Sequence, residues 1–154
     1  MLIFSIQAKT RYTNLTFVKV VFEEKVSVTV IHHDAPEIAE DLIKDLKVHG
    51  VTVVYRHLNY TPDLARKVEK AGVDIIFVTG MDERGILPVH NMVTFSIVPF
   101  IADSVKIPVM VAGGITDRRT FKIAFAFGAE GAFCRTLFLL KCKGNDAESK
   151  CYRY

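Results

Sequence analysis

Hydrophobic positions along the chain follow one repeated pattern: a short β-branched run, a turn, an amphipathic stretch, a glycine, then another β-branched run. The apolar runs predict strands at Leu2–Gln7, Val26–His32, Val51–His57, Asp74–Gly80, Ile107–Gly113 and Gly131–Thr136. Each run is nearly continuous rather than alternating, as in parallel strands covered on both faces. The amphipathic stretches predict helices at Leu15–Glu24, Pro36–His49, Pro62–Ala71, Thr94–Ser104 and Asp117–Phe127. Punctuation agrees with these boundaries. Asp34-Ala35-Pro36 and Thr61-Pro62 read as N-cap and first-turn signals. Gly50, Gly72 and Gly128 stand where a helix ends in a left-handed residue directly before a strand. No linker or low-complexity tract divides the pattern, so residues 1–140 read as one parallel α/β domain followed by a polar tail, 141–154.

Composition narrows the class. The chain has 154 residues, half of them hydrophobic, with a net charge of +3. That excludes intrinsic disorder. No apolar run reaches the roughly 18–20 uncharged residues a membrane helix needs. The length is also short of the about 250 residues of a complete (β/α)8 barrel. The 20 Lys and Arg are interspersed with the 17 Asp and Glu, and the densest basic cluster, Lys141 to Lys143 with Lys150 and Arg153, lies in the tail. The aromatics sit inside apolar runs, so nothing resembles a base-stacking platform, and no nucleic-acid partner is expected. A modest positive balance suits a phosphorylated small molecule. Three cysteines, Cys134, Cys142 and Cys151, have no metal-type spacing and read as free thiols of a reducing, cytoplasmic compartment. The apolar start, Met1 to Ile6, is too short for a secretory segment and reads as a strand.

In parallel α/β folds, function gathers at the carboxyl ends of strands. Those ends are His32-His33-Asp34, His57-Leu58-Asn59, Gly80 to Gly85, Gly113-Gly114-Ile115-Thr116 and Cys134-Arg135-Thr136. Val109 to Asp117 runs from a strand through Gly113-Gly114 into a helix start. Bare N–H groups there would receive an anion; the alternative is a plain tight turn with an N-cap. The next unit ends in Cys134-Arg135-Thr136, and two adjacent loops of this kind form the phosphate site of many barrels. Arg135 either adds charge to that site or is a surface arginine. The longest connection runs from Gly80 to Asn91 and suits a covering role; its His90 is an acid/base candidate or an exposed loop histidine. His32 and His33 are adjacent on a strand and point to opposite faces, so a shared metal ion is not expected. Cys134 is a nucleophile candidate, or a small buried residue.

Several of these segments, in this order, resemble one family. They are Ala71-Gly72-Val73-Asp74 to Thr79-Gly80, the loop through Gly85, Thr94-Phe95-Ser96-Ile97-Val98-Pro99, Ile107-Pro108-Val109 to Ala112-Gly113-Gly114-Ile115, and Ala124 to Gly131. Together they resemble the nitronate monooxygenases, formerly 2-nitropropane dioxygenases. These are FMN-dependent (β/α)8 barrels related to FMN-containing enoyl-ACP reductases. The resemblance runs from about Val26 to Phe138. It implies a TIM-type (β/α)8 barrel, incomplete, with the six strands standing for the third through eighth. It also implies FMN, with cofactor contacts at Gly85, Gly113, Gly114, Cys134, Arg135 and Thr136, and no metal. Two departures stand out. The family has glycine where this chain has Arg135, and a Gly-Gly-His run where it has Glu83-Arg84-Gly85-Ile86-Leu87. His90, several residues later, is the remaining catalytic candidate.

The function this implies is oxidation of alkyl nitronates, the flavin being reduced by substrate and reoxidised by O2. A second reading is a truncated or degenerate barrel, non-catalytic, that binds only a phosphate-bearing ligand or folds by association, a homo-oligomer covering the open barrel edges. A third is a phosphate-binding α/β enzyme without flavin.

Overall fold

A computed structural model describes residues 3–7, 18–34, 37–82 and 92–134. Six strands alternate with helices: β1 Ile3–Gln7, α1 over 18–23, β2 Val28–His32, α2 Glu40–Val48, β3 Thr52–His57, α3 Pro62–Lys70, β4 Ile75–Thr79, α4 Thr94–Ala102, β5 Val109–Ala112, α5 Arg118–Ala126 and β6 Gly131–Phe133. All pair in parallel, in the order β1-β2-β3-β4-β5-β6. This strictly sequential order distinguishes the fold from a doubly wound sheet, whose order reverses and whose helices cover both faces. Right-handed crossovers that always step the same way place every helix on one side, as in a (β/α)8 barrel. The chain is an incomplete barrel of that type.

The side-chain alternation of the strands shows the two faces. Leu42, Ile43 and Leu46 of α2, Val68 of α3, Val98 and Ile101 of α4 and Ala124 of α5 share one core with Ile31, Val53, Tyr55, Ile76, Val78 and Val111. The intervening strand positions form a separate cluster, in which Val54, Phe77 and Ala112 are packed with Val28, Val30, Ile75 and Met110. This second cluster is the inner face of the barrel arc.

At the amino ends of the strands, Asp74 binds two elements at once. One carboxylate oxygen accepts the Val53 N–H at 2.8 Å, and the other pairs with the Lys47 ammonium of α2 at 2.5 Å. The predicted left-handed glycines are present: Gly50, Gly72 and Gly128 have φ of +73°, +93° and +94°. Thr61 caps α3 by accepting the Leu64 N–H at 3.2 Å, with Pro62 at the first helical position.

One boundary differs from expectation. The helix expected from Pro36 begins at Glu40, and its N-cap, Ala39, offers no side-chain bond. The polar groups read as an N-cap are used otherwise. Asp34 lies 3.2 Å from His32 Nε2, and His33 Nε2 bonds the Glu37 carbonyl at 2.6 Å, while residues 37–39 are non-helical. No helix among the described residues is long and apolar enough to cross a membrane.

Leu46 is fully buried between α2 and the sheet, whereas Val48 on the same helix is 84% exposed. Leu46→Ala is expected to lower the unfolding free energy by about 3 kcal/mol, and Val48→Ala to change it by less than about 0.5 kcal/mol. Urea unfolding followed by circular dichroism compares them; equal shifts in midpoint would contradict this core.

Candidate functional site

The carboxyl ends of β4 and β5 are locked together by the first residue of α4. The Thr94 hydroxyl donates to the Ala112 carbonyl at 3.2 Å, and the Thr94 N–H donates to Asp82 Oδ2 at 2.7 Å. Ala112 also accepts the Gly80 N–H at 3.4 Å, and Met81 N–H reaches the Met92 carbonyl at 2.9 Å. This approach requires a glycine at position 80, because a Cβ there would collide with the Thr94 nitrogen and hydroxyl.

Directly after Ala112 the chain turns through Gly113 (φ +101°) and Gly114 (φ +65°). Both are left-handed, and the N–H groups of Gly113, Gly114 and Ile115 donate to no described residue. Most of the α5 start is already satisfied internally. Asp117 accepts the Arg119 and Thr120 N–H groups, both at 2.9 Å, while the Thr120 hydroxyl accepts those of Thr116 and Asp117 at 3.1 Å. The Thr120 and Arg119 bonds hold the Asp117 carboxyl down at about 2, so it remains charged. Among the described residues, the donors left without an acceptor are therefore those of the glycine turn and, in the first turn of α5, the Arg118 N–H alone. Asp82 stands beside the turn, its Cβ 3.5 Å from where a Gly114 Cβ would lie.

The other sequence candidates are placed as follows. Ala112 registers with Phe133, so Cys134 follows β6 beside Gly113. Its side chain packs toward the helix-side core, and burial pushes its thiol up. That leaves its backbone, not its sulfur, at the strand end. Gly85, His90, Arg135 and Thr136 lie outside the described residues. His32 and His33 diverge, the first to Asp34 and the second to the Glu37 carbonyl and the edge of Tyr55. The Asn59 N–H donates to His57 Nδ1 at 2.9 Å, which fixes the neutral ring's proton on Nε2.

Nearby phenols are not bases at neutral pH. Tyr55 is pushed up to about 12, chiefly by burial, and burial also raises Tyr60, whose hydroxyl donates to the Tyr55 carbonyl at 2.8 Å. Two strands from the glycine turn, an open cleft of about 360 Å³ is lined by Asp34, His57, Asn59, Thr61, Asp63 and Lys67. It holds no turn of bare N–H groups.

A residue not singled out from sequence is Arg56 on β3. It shares the inner-face alternation of Thr52 and Val54, its Nε donates to the Thr79 hydroxyl at 3.3 Å, and its Cζ lies 5.5 Å from the Phe77 ring centroid. The two-residue period of β3 would have exposed it, had that strand been read face by face.

Gly80→Ala is expected to break the Thr94 lock and lower stability by about 3 kcal/mol. Gly114→Ala meets only ordinary contacts and pays for its left-handed φ alone, about 1–2 kcal/mol. Thermal unfolding of the two variants ranks them; the reverse order would contradict the lock.

Residues 4–152 match the nitronate monooxygenase family. A probable nitronate monooxygenase of Staphylococcus aureus is 35% identical over 118 residues, which cover 71% of this chain and 33% of that protein. Among solved structures, FabK from Thermotoga maritima superposes with a TM-score of 0.77 at 35% identity, covering 89% of this chain and 42% of that one. Nitroalkane oxidase from Streptomyces ansochromogenes superposes with a TM-score of 0.67 at 27% identity, covering 79% and 37% respectively. The chain spans about a third of the length of the curated relatives it matches. On its sequence match and its sequentially ordered parallel sheet, the chain belongs to the nitronate monooxygenase family.

Proposed function

We infer that the chain carries the phosphate end of an FMN site and serves a flavin-dependent oxidation of alkyl nitronates with O2. The observation that supports this most is the Gly113-Gly114 turn. Two left-handed glycines at a strand end leave three successive N–H groups that donate to no described residue, in a chain of this family. A dianionic phosphate matches such a nest of donors. The group fits these residues: Gly113, Gly114 and Ile115 would hold the phosphate, with Cys134-Arg135-Thr136 in the adjacent unit. When bound, FMN supplies acceptance of two electrons from the substrate and their transfer to oxygen.

The roles of this chain's own residues are positional. The Thr94 lock holds Ala112, and therefore the turn that follows, in one place. Asp82 Oδ2, which accepts the Thr94 N–H, lies 3.9 Å from where a Gly114 Cβ would lie, so the lock also fixes Asp82 beside the turn. Gly85 belongs to the loop that would cover the site, and His90 is the proposed base or substrate contact.

A second reading, a non-catalytic barrel arc that folds by association, is favoured by α5. Only Ala124 of that helix is buried, while Phe121, Ile123 and Phe125, with Phe127 just beyond, remain substantially exposed.

Titration with FMN and with riboflavin, followed by flavin fluorescence and by light scattering, separates the readings. FMN is expected to bind about tenfold or more tightly than riboflavin, and Gly114→Asp to erase that preference by placing a like charge on the phosphate. Equal affinities for the two flavins, or no uptake of either, would contradict the assignment; no uptake with a dimeric or larger mass would support association.

A further inference from the structure

Ala124 is the single buried residue of α5, and Phe121, Ile123 and Phe125, with Phe127 just beyond, are 39–42% exposed. On a helix of about 3.6 residues per turn, Phe121 and Phe125 fall on one flank of Ala124, and Ile123 and Phe127 on the other. The second flank is turned to α4, because the Phe127 ring lies 5.9 Å from Phe95. The first flank therefore faces away from α4, past the β6 edge of the sheet. There the Phe121 and Phe125 rings stand together, their centroids 4.7 Å apart, as one apolar step.

The chain itself is directed to that place. Strand β6 ends at Phe133, and the side chain of Cys134 lies on the helix side. Right-handed crossovers that all step one way deliver the segment after β6 next to α5, on the flank away from α4. That segment carries one apolar run, Leu137-Phe138-Leu139-Leu140, between Thr136 and Lys141. Three residues from Cys134 span at most about 11 Å. Leu137 is thereby kept near the start of α5, where Phe121 stands in the first turn. The family match continues through this run to residue 152. Two exposed rings and four large apolar side chains, held this close, both gain by leaving water together.

We propose that Phe121 and Phe125 are the seat of Leu137-Phe138-Leu139-Leu140, and that this seat anchors Cys134-Arg135-Thr136 beside the glycine turn. Strand β6 holds that segment on one side, and the seat on α5 holds it on the other. A segment fixed at both ends presents its donors to an anion without first having to be ordered. Phe121 and Phe125 are positioning residues in this arrangement: they touch no ligand and act through the chain that rests on them. The role at the phosphate rests on the flavin-dependent reading, whereas the seat itself does not.

Hydrogen exchange of the full chain, read by mass spectrometry, is combined with FMN and riboflavin titrations. The amides of residues 137–140 are expected to exchange about tenfold or more slowly than those of a free peptide of the same sequence. Phe121→Ser together with Phe125→Ser removes that protection and lowers the preference for FMN over riboflavin about threefold or more. Phe121→Leu together with Phe125→Leu keeps both. Phe100→Ser changes neither, although that ring is 60% exposed, because it lies on the side of α4 away from Phe95. Unprotected amides at 137–140 in the wild-type chain would overturn the seat, as would protection that survives the serine pair. Lost protection with an unchanged FMN preference would overturn the positioning role. A wild-type dimer that the serine pair turns into a monomer, with 137–140 unprotected, would give this face to a second copy and equally overturn the seat. Absence of FMN uptake by the wild-type chain would remove the flavin reading, while the exchange pattern still decides the seat.

Discussion

The functional end of this molecule depends on the approach of Thr94 to Gly80. The absence of a side chain at position 80 lets the first residue of α4 settle directly on the end of β4. From there its hydroxyl reaches the Ala112 carbonyl on β5 and its N–H reaches Asp82. One residue thus ties two strands, a helix and a loop, and it does so one position before Gly113. The glycine turn inherits its place from that tie. Left-handed glycines gain no rigidity from their own side chains, so a fixed neighbour is what preorganises their N–H groups.

The sequential parallel sheet adds a division of labour. Because every crossover steps the same way, the helices share one face, and its core is built from β-branched strand residues against Leu46, Val68, Val98 and Ile101. The opposite face is free of that packing demand. There alternation admits Arg56 and Thr79 among apolar residues without disturbing the helix-side core. The Asp74 tie between Val53 and Lys47 lies at the amino ends of the strands, and the Thr94 lock and the glycine turn at the carboxyl ends.

Much of this was legible in the residues. Continuous β-branched runs and closing glycines gave six strands and their parallel sense, and Gly113-Gly114 marked a turn after β5, read either as an anion turn or as a plain tight turn, whose two glycines are left-handed. What was not legible depended on contacts across the fold. Asp34-Ala35-Pro36 has the composition of a helix start, but Asp34 and His33 find His32 and the Glu37 carbonyl instead, and α2 begins later. Val109 to Asp117 reads as a helix start that leaves bare N–H groups; the mutual capping of Asp117 and Thr120 uses those of Thr116, Asp117, Arg119 and Thr120, which the sequence order alone does not show. Cys134 sits at the expected strand end, yet the two-residue period turns its sulfur to the helix side. Arg56 was hidden inside an apolar run, where its meaning lies in the ring of Phe77 on the neighbouring strand.

The central claim is that the N–H groups of Gly113, Gly114 and Ile115 receive the phosphate. Backbone amide chemical shifts of the isotopically labelled chain, followed while FMN is added, test it directly. The largest shifts are predicted at Gly113, Gly114 and Ile115, with Arg119 and Thr120 moving little because Asp117 already holds them. Shifts concentrated instead around Asn59, Thr61 and Lys67, with the glycine amides unmoved, would contradict it.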